Sequence, residues 1–190
     1  MSKRAWRKLI SGVLASLFLL LFATITANLP KTEPTKDSGS VEITEAEKIA
    51  GYVSVSRVID GDTVVVNVIN EDETIRLIGI DTPESVDPRK PVQCFALEAS
   101  EHLKTLVRGR KMKLVIDPSQ QSEDKYDRWL RYLILDDGTD VNKKMIEDGY
   151  AYEYTYDRPY IRQAEYRAAQ EDAKKSKRGL WASDTCNGVR

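Results

Sequence analysis

The stretch GYVSVSRVIDGDTVVVNVINEDETIRLIGID, residues 51–81, decides the architecture. Along it β-branched residues alternate with polar ones, the period-two pattern of strands that bury one face. Asp60-Gly61 and Asn70-Glu71-Asp72 interrupt that pattern with turn residues. Three short strands therefore follow one another as an antiparallel meander. The end of the stretch is less regular. Arg76 and Asp81 stand five residues apart, which on a regular strand points them to opposite faces. A twist or bulge at Gly79, which lacks a side chain, can bring both to one end. Thr82-Pro83 then forces an extended turn, and Glu84 projects just beyond it.

Downstream, FALEASEHLKTLVRG (95–109) places Phe95, Ala99, Leu103 and Leu106 at helical spacing, with Gly109 as the stop. RKMKLVIDP (110–118) and RWLRYLILDDG (128–138) read as a fourth and a fifth strand. TDVNKKMIEDG (139–149) is a short helix capped by Asp140, and DRPYIRQAEYRAAQEDAKKSKRG (157–179) a longer one with proline at its start and glycine after its end. Three strands, a helix, two strands and two helices make an α+β chain. They suit a five-stranded Greek-key barrel of the oligonucleotide-binding (OB) type with three helices.

Upstream, residues 1–30 read MSKRAWRKLISGVLASLFLLLFATITANLP, with a basic head at Lys3, Arg4, Arg7 and Lys8 and an apolar run from Leu9 to Leu29. That is the form of an export signal, with Ala27 as a small residue before cleavage. It also approaches the ~20 residues that span a bilayer, so a retained anchor is the alternative. Either way the remainder is expected outside the cytoplasm, secreted or held to the membrane by residues 9–29 alone. Residues 30–48 are rich in charge, Pro, Ser and Thr and read as a linker. The folded domain is expected over residues 49–186. An oxidising compartment would let Cys94 and Cys186 pair; two unpaired cysteines are the alternative.

Composition narrows the chemistry. With 29 basic and 30 acidic residues the net charge is -1, so no global field attracts a polyanion. His102 is the single histidine and no CxxC occurs, which argues against a histidine pair and against zinc. Carboxylates, arginines and a hard cation remain. Three stretches gather such charge at strand ends: IDGDTV with Asp62, RLIGIDTPE with Arg76, Asp81 and Glu84, and DKYDRWLRYL with Lys125, Tyr126 and Arg128. Singly they read as a turn, a surface ion pair and a charged loop. Together they match the needs of phosphodiester hydrolysis. Asp62 and Asp81 offer hard oxygens to Ca²⁺ or Mg²⁺, two arginines can grip phosphoryl oxygens, and Glu84 can deprotonate water.

In this order the three stretches resemble the staphylococcal nuclease family over residues 50–183, with CFALEAS and KSKRGLW adding to the likeness. The resemblance implies a Ca²⁺-dependent endonuclease that leaves 3′-phosphate ends on DNA and RNA, with single strands preferred, acting as a monomer. It makes Asp62, Asp81 and the Thr82 carbonyl the calcium ligands. Arg76 and Arg128 become the phosphate arginines and Glu84 the general base. Lys125, Tyr126, Tyr154 and Tyr156 become the substrate contacts. YAYEYTY, if extended, puts Tyr150, Tyr152, Tyr154 and Tyr156 on one face. Asp127 departs from the family, which often has glycine there; it either adds negative charge near the phosphate or faces solvent. His102 reads as structural or solvated. The competing reading is a non-catalytic OB module that binds nucleic acid or protein. It is disfavoured because it has no use for the complete set of carboxylates, base and arginines.

Overall fold

The meander forms because the alternating stretch closes on itself twice. In the computed structural model, which describes residues 51–89 and 91–189, strands β1 (Val55–Asp60), β2 (Thr63–Val68) and β3 (Glu71–Leu77) pair antiparallel in sequence. The β2–β3 turn lies at Ile69-Asn70, both at positive φ (50° and 67°), one residue before the turn expected from the sequence. Two consecutive left-handed residues match the right-handed twist of a hairpin. After β3 the chain breaks at Ile78-Gly79 and resumes as β4 (Ile80–Asp81). Helix α1 (Ala96–Val107) crosses over to β5 (Met112–Val115), which pairs antiparallel with β6 (Trp129–Leu135). Helix α2 (Val141–Glu147), strand β7 (Tyr152–Glu153), helix α3 (Gln163–Lys175) and a 3₁₀ turn at Gly179–Trp181 complete the order.

The sheet runs β1-β2-β3-β6-β5, with β3 and β6 parallel. The expected mixed α+β fold, with three helices and a five-stranded sheet, is present. Closure is looser than a barrel. Among the described residues the edges meet at the isolated bridge of Val53 and Met112, which exchange two hydrogen bonds of 2.8 and 2.9 Å ahead of β1. Three details differ from expectation. β4 and β7 form a small separate ladder that no periodicity announces, since two residues carry no pattern. Helix α3 begins at Gln163, so Pro159 lies in the extended approach and not in the first turn. Tyr150 and Tyr152 do not share a face with Tyr154 and Tyr156, because β7 is only two residues long.

The core lies between the sheet and the helices. Val64, Val66, Ile75 and Leu77 meet Leu103, Met145, Ile146 and Tyr166, all essentially inaccessible. Asp140 caps α2 through Lys143 N (3.1 Å). His102 stacks on Tyr150 at 3.9 Å and bonds Asp148 at 2.9 Å, a structural role. Cys94 and Cys186 form a disulfide across 92 residues, a span whose closure lowers unfolded-state entropy by about 4–5 kcal/mol in the chain-entropy account. Among the described residues no helix is long and apolar enough to cross a membrane. The candidate signal or anchor at 1–29 and the linker lie outside the described residues.

Candidate active site

Strand register brings the site together. Thr63 pairs with Arg76 across β2 and β3. Just beyond, Leu77 N donates to Asp62 O (2.9 Å), which fixes the β1–β2 turn against the end of β3. The parallel pairing of Arg76 with Leu130 places Arg128, immediately ahead of β6, at the same end of the sheet.

The break after β3 then reverses the regular-strand geometry. Gly79 has φ +79°, and a Cβ there would lie 2.6 Å from the Tyr160 ring. Only glycine fits this combination of backbone and close approach. Buried Asn142 holds the bend by donating to Ile78 O (3.0 Å) and Arg131 O (3.2 Å). As a result Asp81 comes to the Arg76 side of the strand. Arg76 Nη2 lies 3.0 Å from Asp62 Oδ2 and 3.4 Å from Asp81 Oδ1. Its Nη1 donates to Leu77 O and Ile80 O, both at 2.9 Å. The guanidinium therefore neutralises two converging carboxylates.

Asp62 is further fixed by Thr63 Oγ1 (2.9 Å) and Thr82 N (3.1 Å). Thr82 sits against Gly61, where a Cβ would lie 2.8 Å from its hydroxyl, so the glycine of IDGD is required by this packing. Thr82 Oγ1 is buried and has no hydrogen-bond partner. The donors gathered here are all oxygens, which suits a hard cation. Among the described residues no group of three or more His, Cys, Asp or Glu could hold a metal by itself. Asp62 and Asp81 would need carbonyl oxygen, such as that of Thr82, and water to complete a shell. Asp60, next to this pair, has its carboxyl pushed up by burial and by the neighbouring Asp62 and Glu84 charges, although Ser85 and Gly61 bond to it.

Glu84 stands at the start of the loop after β4. Its Oε1 accepts Val86 N (2.8 Å) and Asp87 N (3.0 Å), an anchor from its own loop. Arg128 is held by Asp124, whose Oδ2 receives Nε at 2.7 Å and Nη2 at 2.6 Å. Asp124 Oδ1 also accepts the backbone of Tyr126 and Arg128. Burial pushes the Asp124 carboxyl up, but these bonds outweigh it and leave it low. Asp127 has φ +59° and is exposed, so the position where glycine is common in the resembled family demands a left-handed backbone, and the carboxylate stands in solvent.

A groove of about 620 Å³ opens beside Arg76, Asp81 and Arg128. Lys125, Tyr126, Tyr154 and Tyr156 line it, joined by Gln120 and Arg158, which the sequence did not single out. Tyr126 is 65 % exposed with Lys125 Nζ 5.0 Å and Arg128 Cζ 5.3 Å from its ring centroid. Tyr152, by contrast, is buried edge-on against Trp181 and donates to Val189 O (3.2 Å). A second cleft of about 620 Å³, between α2 and α3, is lined by Lys143–Glu147, Lys144–Asp148 and Arg178–Asp172 ion pairs, whose charges cancel.

Fold and site together define a small mixed α+β domain with a carboxylate–arginine centre at one end of its sheet, facing a tyrosine-lined groove in which arginines and a lysine stand among aspartates. A sequence profile described as "Staphylococcal nuclease homologue" matches residues 74–183. The thermonuclease of Staphylococcus hyicus is 32% identical over 178 residues, covering 93% of this chain and 99% of the relative. The endonuclease YncB of Bacillus subtilis (strain 168) is 32% identical over 162 residues, covering 78% and 75%. The chain belongs to the staphylococcal nuclease family.

Proposed function

We propose that the protein is an exported, Ca²⁺-dependent endonuclease that hydrolyses DNA and RNA to 3′-phosphate ends. The observation that carries this reading is the convergence of Asp62 and Asp81 on one nitrogen of Arg76, beside the groove that Arg128 lines. Asp62, Asp81 and the Thr82 carbonyl would hold the cation, which would supply positive charge for a phosphoryl oxygen and acidify water.

The chain's own groups do the rest. Asp124 takes up Nε and Nη2 of Arg128 and leaves Nη1 to donate to a phosphoryl oxygen. Arg76 balances the carboxylates, and its Nη2 would turn to a phosphoryl oxygen as the second phosphate contact once a cation takes Asp62 and Asp81. Glu84, anchored through Oε1, takes the proton of the attacking water on Oε2. The water oxygen bonds to phosphorus as the bond to the 5′ oxygen breaks, and that oxygen leaves as a hydroxyl with a proton from solvent. The exposed rings of Tyr126, Tyr154 and Tyr156 give unpaired bases a stacking surface, which supports a preference for single strands. Lys125 adds local positive charge where the whole chain has none to spare. All these residues come from one chain, so a monomer suffices. The domain over 49–186 would follow a signal or anchor at 1–29 and a linker, and the Cys94–Cys186 bridge accords with an oxidising destination.

End-group analysis of a cut oligonucleotide tests the reading. Products should carry 3′-phosphate and 5′-hydroxyl ends, and Glu84→Gln should lower kcat by about 10²–10⁴-fold while binding persists. 5′-phosphate products, or an unchanged kcat, would remove the assigned bond cleavage or the assigned base.

A further inference from the structure

The loop that carries Glu84 is fastened by groups with no part in the reaction. Glu84 N donates to Gln93 Oε1 (2.7 Å), and Gln93 N donates back to Glu84 O (3.0 Å). One residue thus bonds the main chain of Glu84 on both sides. Next to Glu84, Ser85 Oγ donates to Asp60 Oδ1 (2.7 Å). Next to Gln93, Cys94 is bonded to Cys186, and Cys186 is itself nearly buried in a tail anchored by Asn187 N to Ala182 O (3.0 Å) and Gly188 N to Leu180 O (2.8 Å).

Local preference does not explain this placement. Phe95, one residue on, has φ +69°, a left-handed backbone that costs an L-residue energy. It is held by surroundings: its ring packs on Tyr150 at 5.1 Å and its neighbour is covalently tied. We propose that Gln93 is a positioning residue for Glu84, and that the Cys94–Cys186 bridge keeps Gln93 in place, so that turnover depends on the disulfide. The proposal rests on Glu84 acting as the base. Cys94 is exposed, so a dithiol can attack it. Two electrons and two protons convert the bridge to two thiols, and the dithiol becomes a cyclic disulfide. The nuclease would then work at full rate only where the bridge forms, outside the reducing cytoplasm.

The test uses the full chain, oxidised and then reduced with dithiothreitol, on a single-stranded oligonucleotide with Ca²⁺ present. Reduction and Gln93→Ala should each lower kcat about tenfold with KM little changed, because a misplaced base slows chemistry and not binding. Gln93→Glu, which keeps an acceptor at the same reach, should recover part of the loss. In Glu84→Gln the residual kcat should not respond to reduction, whereas a bridge that merely stabilised the fold would lower it by the same factor. Amide exchange at Val86 and Asp87, the donors to Glu84, should quicken on reduction in protein that is still folded by circular dichroism. An unchanged kcat on reduction, or an equal fall in Glu84→Gln, overturns the proposal. If the oxidised protein cuts nothing, the nuclease reading fails by itself. The latch is then decided by the two amides: faster exchange upholds it and unchanged exchange overturns it.

Discussion

Arg76 and Arg128 carry the same charge but are held differently, and their replacement should read out differently. Arg76 is largely buried between Asp62 and Asp81, so Arg76→Ala leaves two adjacent carboxylates without a counter-ion and should cost about 3 kcal/mol of folding stability. Arg128 is bound at one edge by Asp124 on a partly open rim. Arg128→Lys should leave urea unfolding almost unmoved and lower kcat by about 10²–10³-fold, since a lysine cannot keep the Asp124 bonds and offer a directed donor together. The reverse pattern, a stable Arg76→Ala and an unfolded Arg128→Lys, would mean the two roles are exchanged. The principal polar residues were legible in the sequence because strands have little use for carboxylates and arginines at their ends. Their supports were not. Asp124, Gln93, Asn142 and Ser85 are ordinary loop or helix polar residues until the fold shows what they bond.

At the scale of elements, the meander and the strand–helix order followed from periodicity, whereas junctions depended on tertiary contacts. The β2–β3 turn puts Ile69, a β-branched residue, at φ +50° and 52 % exposed. Ile69→Asn, which tolerates that conformation, should raise stability by about 0.5–1 kcal/mol in chemical denaturation; a loss would mean the Ile69 side chain is needed where it stands. The segment that follows β5 is tied to the approach to α3 through buried Asp117. Its carboxylate accepts Ser119 N (2.8 Å) and Ser119 Oγ (2.6 Å), and also Tyr132 OH (2.5 Å) and Ile161 N (2.8 Å). Burial pushes this carboxyl up, but the four bonds outweigh it and bring it below the ordinary aspartate value of 3.8. A carboxylate lowered on folding stabilises the fold above its unfolded pKa and loses that contribution as pH falls through the folded one. Asp117→Asn should therefore cost about 2 kcal/mol at pH 7. The gap to wild type should start to close below about pH 4; a gap constant down to pH 3 would place the stabilisation elsewhere. Nothing in IDPSQQ pointed to this role, because its partners lie 15 and 44 residues away.

For the whole molecule, near-neutral charge and a polyanionic substrate are reconciled by location. The net charge of -1 is an average, while the groove is lined by Arg76, Lys125, Arg128 and Arg158 against Asp81, Asp124 and Asp157, a small local excess of positive charge. The paired β3 and β6 bring Arg76, Asp81 and Arg128 to one end of the sheet, and the disulfide ties the tail to the loop of Glu84. The ordered motifs made the fold legible; the near-closure of the sheet through a single pair, and the choice between paired and free cysteines, needed three dimensions. A cation held by Asp62 and Asp81 would make cutting depend on the metal, which digestion of a single-stranded oligonucleotide with Ca²⁺ and then with excess chelator measures. Cleavage should occur with Ca²⁺, stop on chelation and return when Ca²⁺ is restored. Cleavage undiminished in chelator would contradict the metal's role, and strand binding without cleavage in either condition would contradict the enzyme.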